Sequence, residues 1–353
     1  MSTEPQQTRQ PSPALIFDTL NGYQRSQAIK TAVELELFTA IGEGKTTATE
    51  IAKRCGASER GTRILCDFLT IVGFLTKQNN KYALTPDSAM FLDKRSPAYM
   101  GTVTDFILSD YIMDNFDRLT ETVRSGVCVI DSALEPNHPM WVKFARAMVP
   151  MMALPSQLIA PLIDPAKDQK LRVLDIAAGH GMFGIAFAKH NPQTEITAVD
   201  WPAVLEVAKE NAAKAGVSDR YHTNPGSAFE VDYGTGFDVV LLLFALHHNP
   251  YEAQGKVLGE ATRLAGRRLV VLEDTPMGRL DHAFNVTWDK VLNFRHRVPT
   301  PCAFRGVEEW LDMFREHDLE AVHVESYRPK WPTLMTYHHT LFVLERETGR
   351  PLA

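Results

Sequence analysis

Two acids and three glycines stand close together in the middle of the chain, in a pattern that can hold a charged nucleotide. The stretch VLDIAAGHGMFG places Asp175, Gly179, Gly181 and Gly184 within residues 173–184, and ITAVD ends at Asp200. The order implies a buried strand, a tight glycine turn, a helix and a second strand ending in an acid, the first half of a Rossmann-type nucleotide site. G-x-G-x-x-G alone is a weak signal. Asp175 just before the turn and Asp200 at the next strand end sharpen it, because a carboxylate at the second position can take both ribose hydroxyls.

The two acids decide between ligands. A dinucleotide brings an anionic pyrophosphate to the glycine turn, where a neighbouring aspartate is unwelcome. S-adenosylmethionine has no phosphate, and its sulfonium and ammonium are cationic near that turn. Asp175 therefore favours S-adenosylmethionine. The bland reading of Asp175, a strand-end acid that only caps the turn, stays beside it.

Other candidates for chemistry gather at later strand ends. FDVVLLLFALHHNP ends in His247 and His248, and RLVVLED ends in Glu273 and Asp274. Both ends fall on the carboxyl edge of the expected sheet, where ligands of α/β folds bind. A histidine with a neighbouring acid is a general base with an orienting carboxylate, although a lone strand-end histidine is ordinarily structural. His247, His248 and Glu273 could also be drawn as metal ligands, but no spacing signature supports a metal and none is expected.

The elements that must position these groups follow from periodicity. Strands are predicted at 171–176, 195–200, 220–223, 237–244 and 267–273, with helices at about 182–190, 202–215, 252–264, 281–296 and 306–317. Such alternation gives an α/β fold with a parallel sheet between helices. AVHVESY and HHTLFVLERE are separated by too short a connection for a helical crossover, so the chain ends in an antiparallel pair. Upstream, AIKTAVELELFTAI puts Ile29, Val33, Leu37 and Ile41 on one helical face. TTATEIAKRCG follows with Thr49 as a plausible cap, then a helix capped by Ser58 with Ile64, Leu65, Phe68, Leu69 and Val72 on one side. FLTKQNNKYALT predicts a hairpin around Gln78-Asn79-Asn80. Three helices and a hairpin make a winged helix. The expected organisation is a disordered lead-in at 1–13, a winged-helix domain at 14–110, a helical linker at 111–165 and a nucleotide-binding catalytic domain at 166–353.

Composition narrows the class. The chain has 353 residues, 44% of them hydrophobic, and a net charge of −6. With a sequence pI near 6.1, nothing electrostatic points to nucleic acid or an anionic membrane. The longest apolar run, Val239 to Leu246, is strand-length rather than membrane-length. Residues Met1 to Pro13 are polar and carry no signal-peptide pattern. Cys55, Cys66, Cys128 and Cys302 lack paired spacing and fit reduced thiols of a cytoplasmic protein. Between Thr46 and Thr85 there are six Lys or Arg against three acids. That is thin for a DNA reader, so the winged helix is expected to pack on another subunit.

These motifs resemble one known family, the class I S-adenosylmethionine-dependent O-methyltransferases of the caffeate and hydroxyindole type, over about Phe17 to Glu345. The family's D-V-G-G-G-T-G stands here as Asp175-Ile-Ala-Ala-Gly179-His-Gly181, and its D-L-P as Asp200-Trp201-Pro202. Its L-H-D-W stands as Leu246-His247-His248-Asn249, and its first supporting glutamate as Glu273. The resemblance implies methyl transfer to a hydroxyl of a small aromatic metabolite, with His247 as general base and Glu273 as its support. It implies a homodimer through the N-terminal domain and S-adenosylmethionine held by Asp175, Gly179, Gly181, Asp200, Trp201, Gly226, Ser227, Ala228, Phe229 and Phe244.

Three departures stand out. The adenine-side G-D-M-F reads Gly226-Ser227-Ala228-Phe229, so backbone and hydroxyl contacts must replace the acid. Phe304 falls where the second supporting glutamate is expected, and His248 replaces an aspartate. The substrate pocket is expected from MWVKFARAMVPMM and helix 281–296, with Trp141, Phe144, Met148, Met152, His248, Trp288, Leu292 and Asn293 as lining. An apolar aromatic lining suits a flat aromatic acceptor. Other classes also fit the sequence: a different enzyme on this scaffold that retains S-adenosylmethionine, and a winged-helix regulator with a ligand-sensing domain.

Overall fold

The computed structural model describes residues 11–125, 138–167, 169–249, 251–276, 305–327 and 337–346. The chain divides into two compact units, at Leu108 and Ser109.

The first unit is helical with one hairpin. Its elements are α1 (Ala14–Leu20), α2 (Gly22–Glu34), α3 (Leu37–Gly42), α4 (Ala48–Cys55), α5 (Glu59–Ile71), β1 (Leu75–Gln78), β2 (Lys81–Leu84), α6 (Pro86–Phe91) and α7 (Val103–Ile107). The single helix expected over Ile29 to Ile41 is broken. Glu36 takes the left-handed conformation at φ 53° and starts α3. Its carboxylate binds Lys94 at 2.7 Å and Arg54 at 3.1 Å, which anchors the break. Val33, Leu37 and Ile41 still share one core with Phe38, Ile51, Leu69 and Tyr82, so the apolar spacing identified the right residues but the wrong element.

The cap of α4 is Thr47, not Thr49. Glu50 at the third helical position reaches back to the Thr47 N–H at 2.9 Å, and the Thr47 hydroxyl accepts the Glu50 N–H at 3.3 Å. This reciprocal pair needs a cap three residues before the acid. Ser58 caps α5 by accepting the Gly61 N–H at 3.1 Å, as expected. Asn79 and Asn80, at φ 49° and 59°, form the two-residue turn between paired Gln78 and Lys81, the twist a short hairpin requires.

The second unit opens with α8 (Asp110–Asp117), α9 (Leu119–Ser125) and α10 (Pro139–Ile163). Then β3 (Arg172–Ile176), α11 (Met182–His190), β4 (Glu195–Asp200), α12 (Pro202–Ala215), β5 (Tyr221–Pro225), β6 (Phe237–Leu243), α13 (Tyr251–Leu264) and β7 (Ala265–Pro276) alternate. The chain continues with α14 (Val307–Glu316), β8 (Leu319–Tyr327) and β9 (Tyr337–Arg346). One seven-stranded sheet results, in the order β5-β4-β3-β6-β7-β9-β8. Its first five strands are parallel, while β9 runs antiparallel between β7 and β8.

Alternate residues of each strand feed two cores. Val173, Leu241 and Val270 pack with Ile159 of α10, Phe187 of α11 and Leu205 of α12. Leu174, Val240 and Val271 pack with Leu258 of α13 and with Trp310 and Phe314 of α14. Helix α10 is long and apolar enough, by length and composition, to cross a bilayer. Single uninterrupted runs do not reveal this, because Pro150, Pro155 and Pro161 interrupt it. Its Ile159, Ala160 and Ile163 are buried in the first of these cores.

Candidate active site at the carboxyl edge of the sheet

The glycine turn after β3 is shaped by what lies beneath it. A Cβ on Gly181 would stand 2.5 Å from the Tyr221 hydroxyl and 2.9 Å from the Ala208 Cβ. One on Gly184 would stand 2.8 Å from Ile196 Cγ2 and 3.1 Å from Asp175 Oδ2. Helix α11 can therefore press onto β4 and β5 only with glycine at both positions. Gly179 and Gly181 are also left-handed, at φ 56° and 74°. Ala177 shares that conformation at φ 56°, at a cost of about 1–2 kcal/mol for a residue with a Cβ.

Both acids answer to backbone. Asp175 is 3% exposed, and its Oδ2 accepts the Gly184 N–H at 3.2 Å. Asp200 ties the two strand ends together: Oδ2 accepts the Gly179 N–H at 2.8 Å, and Oδ1 accepts the Trp201 N–H at 2.7 Å. Among the described residues neither acid has a cationic partner. Burial pushes the Asp175 carboxyl up to about 7 and the Asp200 carboxyl up to about 6. A cation placed beside these two buried acids would favour their ionised forms.

His180, inside the glycine turn, was not singled out in the sequence. Its Nδ1 accepts the Met182 N–H at 3.1 Å, and its carbonyl accepts Asn211 Nδ2 at 2.9 Å. Burial pulls its imidazole down to about 4, so it remains neutral. The available signal was a side chain with an acceptor at the start of α11, where orphan N–H groups need one.

The loop expected on the adenine side is held by its own hydrogen bonds. The Ser227 hydroxyl accepts the Phe229 N–H at 3.2 Å, so it supports its own turn. The Gly226 N–H donates to the Asp200 carbonyl at 3.0 Å, the Ala228 carbonyl accepts the Tyr233 hydroxyl at 2.6 Å, and Phe229 is exposed. Trp201 heads α12 and packs against the cluster of Ala145, Val204 and Val207.

Past β6 the chain makes a sharp turn. Phe244 adopts φ 53°, its N–H donates to the Leu272 carbonyl at 2.6 Å, and a short turn over Leu246–His248 follows. That turn brings His247 Nδ1 to 2.5 Å from Glu273 Oε2. Glu273 is fully buried, and its Oε1 accepts the Leu246 N–H at 2.7 Å. The carboxylate thus grips both the imidazole and the backbone that carries it. With Nδ1–H donating to Glu273, Nε2 is the basic nitrogen of the ring. Asp274 points to the opposite face and meets His339 instead.

Four of the expected substrate-lining residues, Trp141, Phe144, Met148 and Met152, lie on α10. Trp141 packs against the cluster of Ala145, Val204 and Val207 and lies edge-on to Phe144 at 6.1 Å. Met152 packs on the core that includes Phe183 and Phe244, and Met148 is half-buried. Trp288, Leu292, Asn293, Phe304 and the predicted helix 281–296 lie outside the described residues, as does the His248 side chain. Among the described residues no cluster of three or more metal-ligating side chains occurs.

A parallel sheet with an acid–glycine–acid edge and a histidine–glutamate pair defines a methyltransferase-type site. Residues 17–94 match the O-methyltransferase dimerisation domain and residues 173–266 a methyltransferase domain. A candidate O-methyltransferase of Nostoc punctiforme PCC 73102 is 44% identical and superimposes with a TM-score of 0.80, covering 95% of this chain and 100% of that one. The mitomycin biosynthesis 6-O-methyltransferase of Streptomyces lavendulae is 30% identical over 66% of this chain and 68% of its own. The 3-hydroxy-5-methyl-1-naphthoate 3-O-methyltransferase of Streptomyces sahachiroi is 27% identical over 77% of this chain and 81% of its own. The chain belongs to the S-adenosylmethionine-dependent O-methyltransferases that carry an N-terminal dimerisation domain.

Proposed function

We propose that this enzyme methylates a hydroxyl of a small aromatic metabolite, with His247 as general base. The observation that carries the reading is the His247–Glu273 pair, held at the same sheet edge as Asp175, Gly179 and Asp200. Relatives that act on a naphthoate and in mitomycin biosynthesis point to a fused or substituted aromatic acceptor.

S-adenosylmethionine bound at that edge supplies a methyl group on a sulfonium. Asp175 would face the cationic end, Asp200 would turn its remaining lone pairs to the ribose hydroxyls, and Trp201 and the 226–229 loop would flank the base. His247 takes the acceptor's hydroxyl proton at Nε2, and Glu273 holds the ring and stabilises the imidazolium. A phenol titrates near pH 10 and histidine near 6.5, a gap of about 3.5 units or about 4.8 kcal/mol. Proton transfer to His247 therefore accompanies attack of the acceptor oxygen on the methyl group, whose bond to the sulfonium sulfur would break in the same step, its electron pair staying on sulfur. Alignment of the acceptor oxygen supplies the rest.

The assembly we infer is a homodimer of a cytoplasmic enzyme. The apolar Leu15, Ile16, Phe17 and Leu20 of α1 are each more than half exposed, within or just before the matched dimerisation domain. Light scattering should give about twice the 39.5 kDa chain mass, and a single-chain mass at micromolar concentration removes the dimer. The activity is tested by offering naphthols, hydroxynaphthoates and hydroxybenzoates with methyl-labelled cofactor. Label on an aromatic oxygen is expected. Cofactor binding with no transfer to any phenol, and transfer to other substrates instead, overturns the acceptor class.

A further inference from the structure

The carboxyl edge holds a second imidazole–carboxylate pair that the reaction above does not use. Asp274 of β7 lies opposite His339 of β9 in the antiparallel register. His339 Nδ1 stands 2.7 Å from Asp274 Oδ1. Because β9 runs antiparallel, its first residues reach the same edge as the last residues of β7. Glu273 and Asp274 are consecutive, so their side chains leave opposite faces of the strand. His247 and His339 therefore straddle the end of β7.

The surroundings of His339 point to a ligand. Its side chain is about a quarter exposed, and its ring meets Phe244 edge-on at 5.2 Å. Phe244 in turn faces Phe183 of α11 at 6.4 Å. These three rings form an aromatic run from α11 across the end of β6 to β9, on the face that also carries Asp175. The Asp274 carboxylate accepts the Nδ1 proton, which leaves Nε2 as a hydrogen-bond acceptor. Among the described residues no partner for Nε2 is found. With Asp274 taking the Nδ1 proton, the remaining ring nitrogen welcomes a donor.

We propose that His339, positioned by Asp274, accepts a hydrogen bond from a second donor group on the aromatic acceptor, a hydroxyl or amine besides the hydroxyl that is methylated. The site would then select dihydroxy- or amino-hydroxyarenes over simple phenols. The inference rests on the aromatic-acceptor reading given above.

Binding separates the two. Calorimetry is run on the full-length enzyme saturated with S-adenosylhomocysteine, using 1-naphthol, its dihydroxynaphthalene counterparts and the matching amino-naphthols. The wild type should bind the second-donor compounds roughly tenfold more tightly, the usual size of one such hydrogen bond. His339→Phe should abolish that ratio, and His339→Gln, which keeps an acceptor, should restore part of it. In turnover assays the loss should fall on KM rather than kcat. Retention of the full ratio in His339→Phe overturns the inference, as does a wild type with no preference. If His339→Phe does not fold, an unchanged ratio in His339→Ala, which also removes the acceptor, overturns it equally. A wild type that binds no naphthol of any kind defeats the aromatic-acceptor reading, and the inference with it.

Discussion

The two halves of the sheet edge solve different problems with the same residue types. In the cofactor half, at the ends of β3 and β4, carboxylates are bonded to backbone: Asp175 to Gly184, Asp200 to Gly179 and Trp201. In the chemical half, at the ends of β6 and β7, a carboxylate is bonded to a side chain: Glu273 to His247. In the proposed reaction the first half would receive the cationic cofactor. The second half spends its charge on orienting a base. Burial raises both acids of the first half, Asp175 and Asp200.

The largest effect should come from breaking the chemical half. His247→Ala should lower turnover by about 10²-fold or more while leaving cofactor affinity nearly unchanged. Glu273→Gln should lower turnover by a smaller factor and His248→Ala by less still. Steady-state kinetics with calorimetry of cofactor binding decides this. Full turnover in His247→Ala would show that alignment alone, or another base, carries the reaction.

The cofactor half should respond in the opposite sense in stability and in binding. A carboxyl raised from 3.8 to about 7 binds its proton more tightly when folded, so its contribution to stability falls as pH rises between those values. A cation bound beside it favours the ionised form, so cofactor affinity should rise with pH up to about 7. Asp175→Asn should therefore stabilise the free protein at pH 8 by roughly 2–4 kcal/mol and flatten the pH dependence of cofactor binding. Denaturant melts and calorimetry across pH 5.5–8 test both. A destabilised Asp175→Asn protein would mean that the ionised acid is already compensated in the free enzyme.

The smallest effect should come from the adenine-side loop. The Ser227 hydroxyl is committed to its own turn at an exposed position, so Ser227→Ala should weaken cofactor binding by about 1 kcal/mol or less. A larger loss by calorimetry would show that the hydroxyl turns to the nucleotide on binding, which would sharpen the contrast between a preset turn and a responsive one.

Legibility followed the range of the interactions. The glycine turn, the places of Asp175 and Asp200 beside it and the strand ends were readable, because turn geometry and burial act over a few neighbouring residues. Ser58 was readable as a cap for the same reason. Thr47 was missed in favour of Thr49, although the three-residue spacing to Glu50 was there to be counted. The break at Glu36 could not be read, because the partners that anchor it, Arg54 and Lys94, are distant in sequence. His180 was passed over because a histidine inside a glycine motif has no periodicity to mark it.

By itself the sequence determined which strands end at the site, which residues can bear charge there, and that the last two strands pair antiparallel. Local propensity and alternation suffice for that, since each depends on near neighbours. The family resemblance already paired Glu273 with His247, and only the tertiary structure gave Asp274 a histidine of its own. Glu273 and Asp274 are adjacent and chemically alike, yet strand alternation sends them to opposite faces, where β6 supplies His247 to one and β9 supplies His339 to the other. Sheet order is a long-range property, and it is what turned two neighbouring carboxylates into two separate pairs.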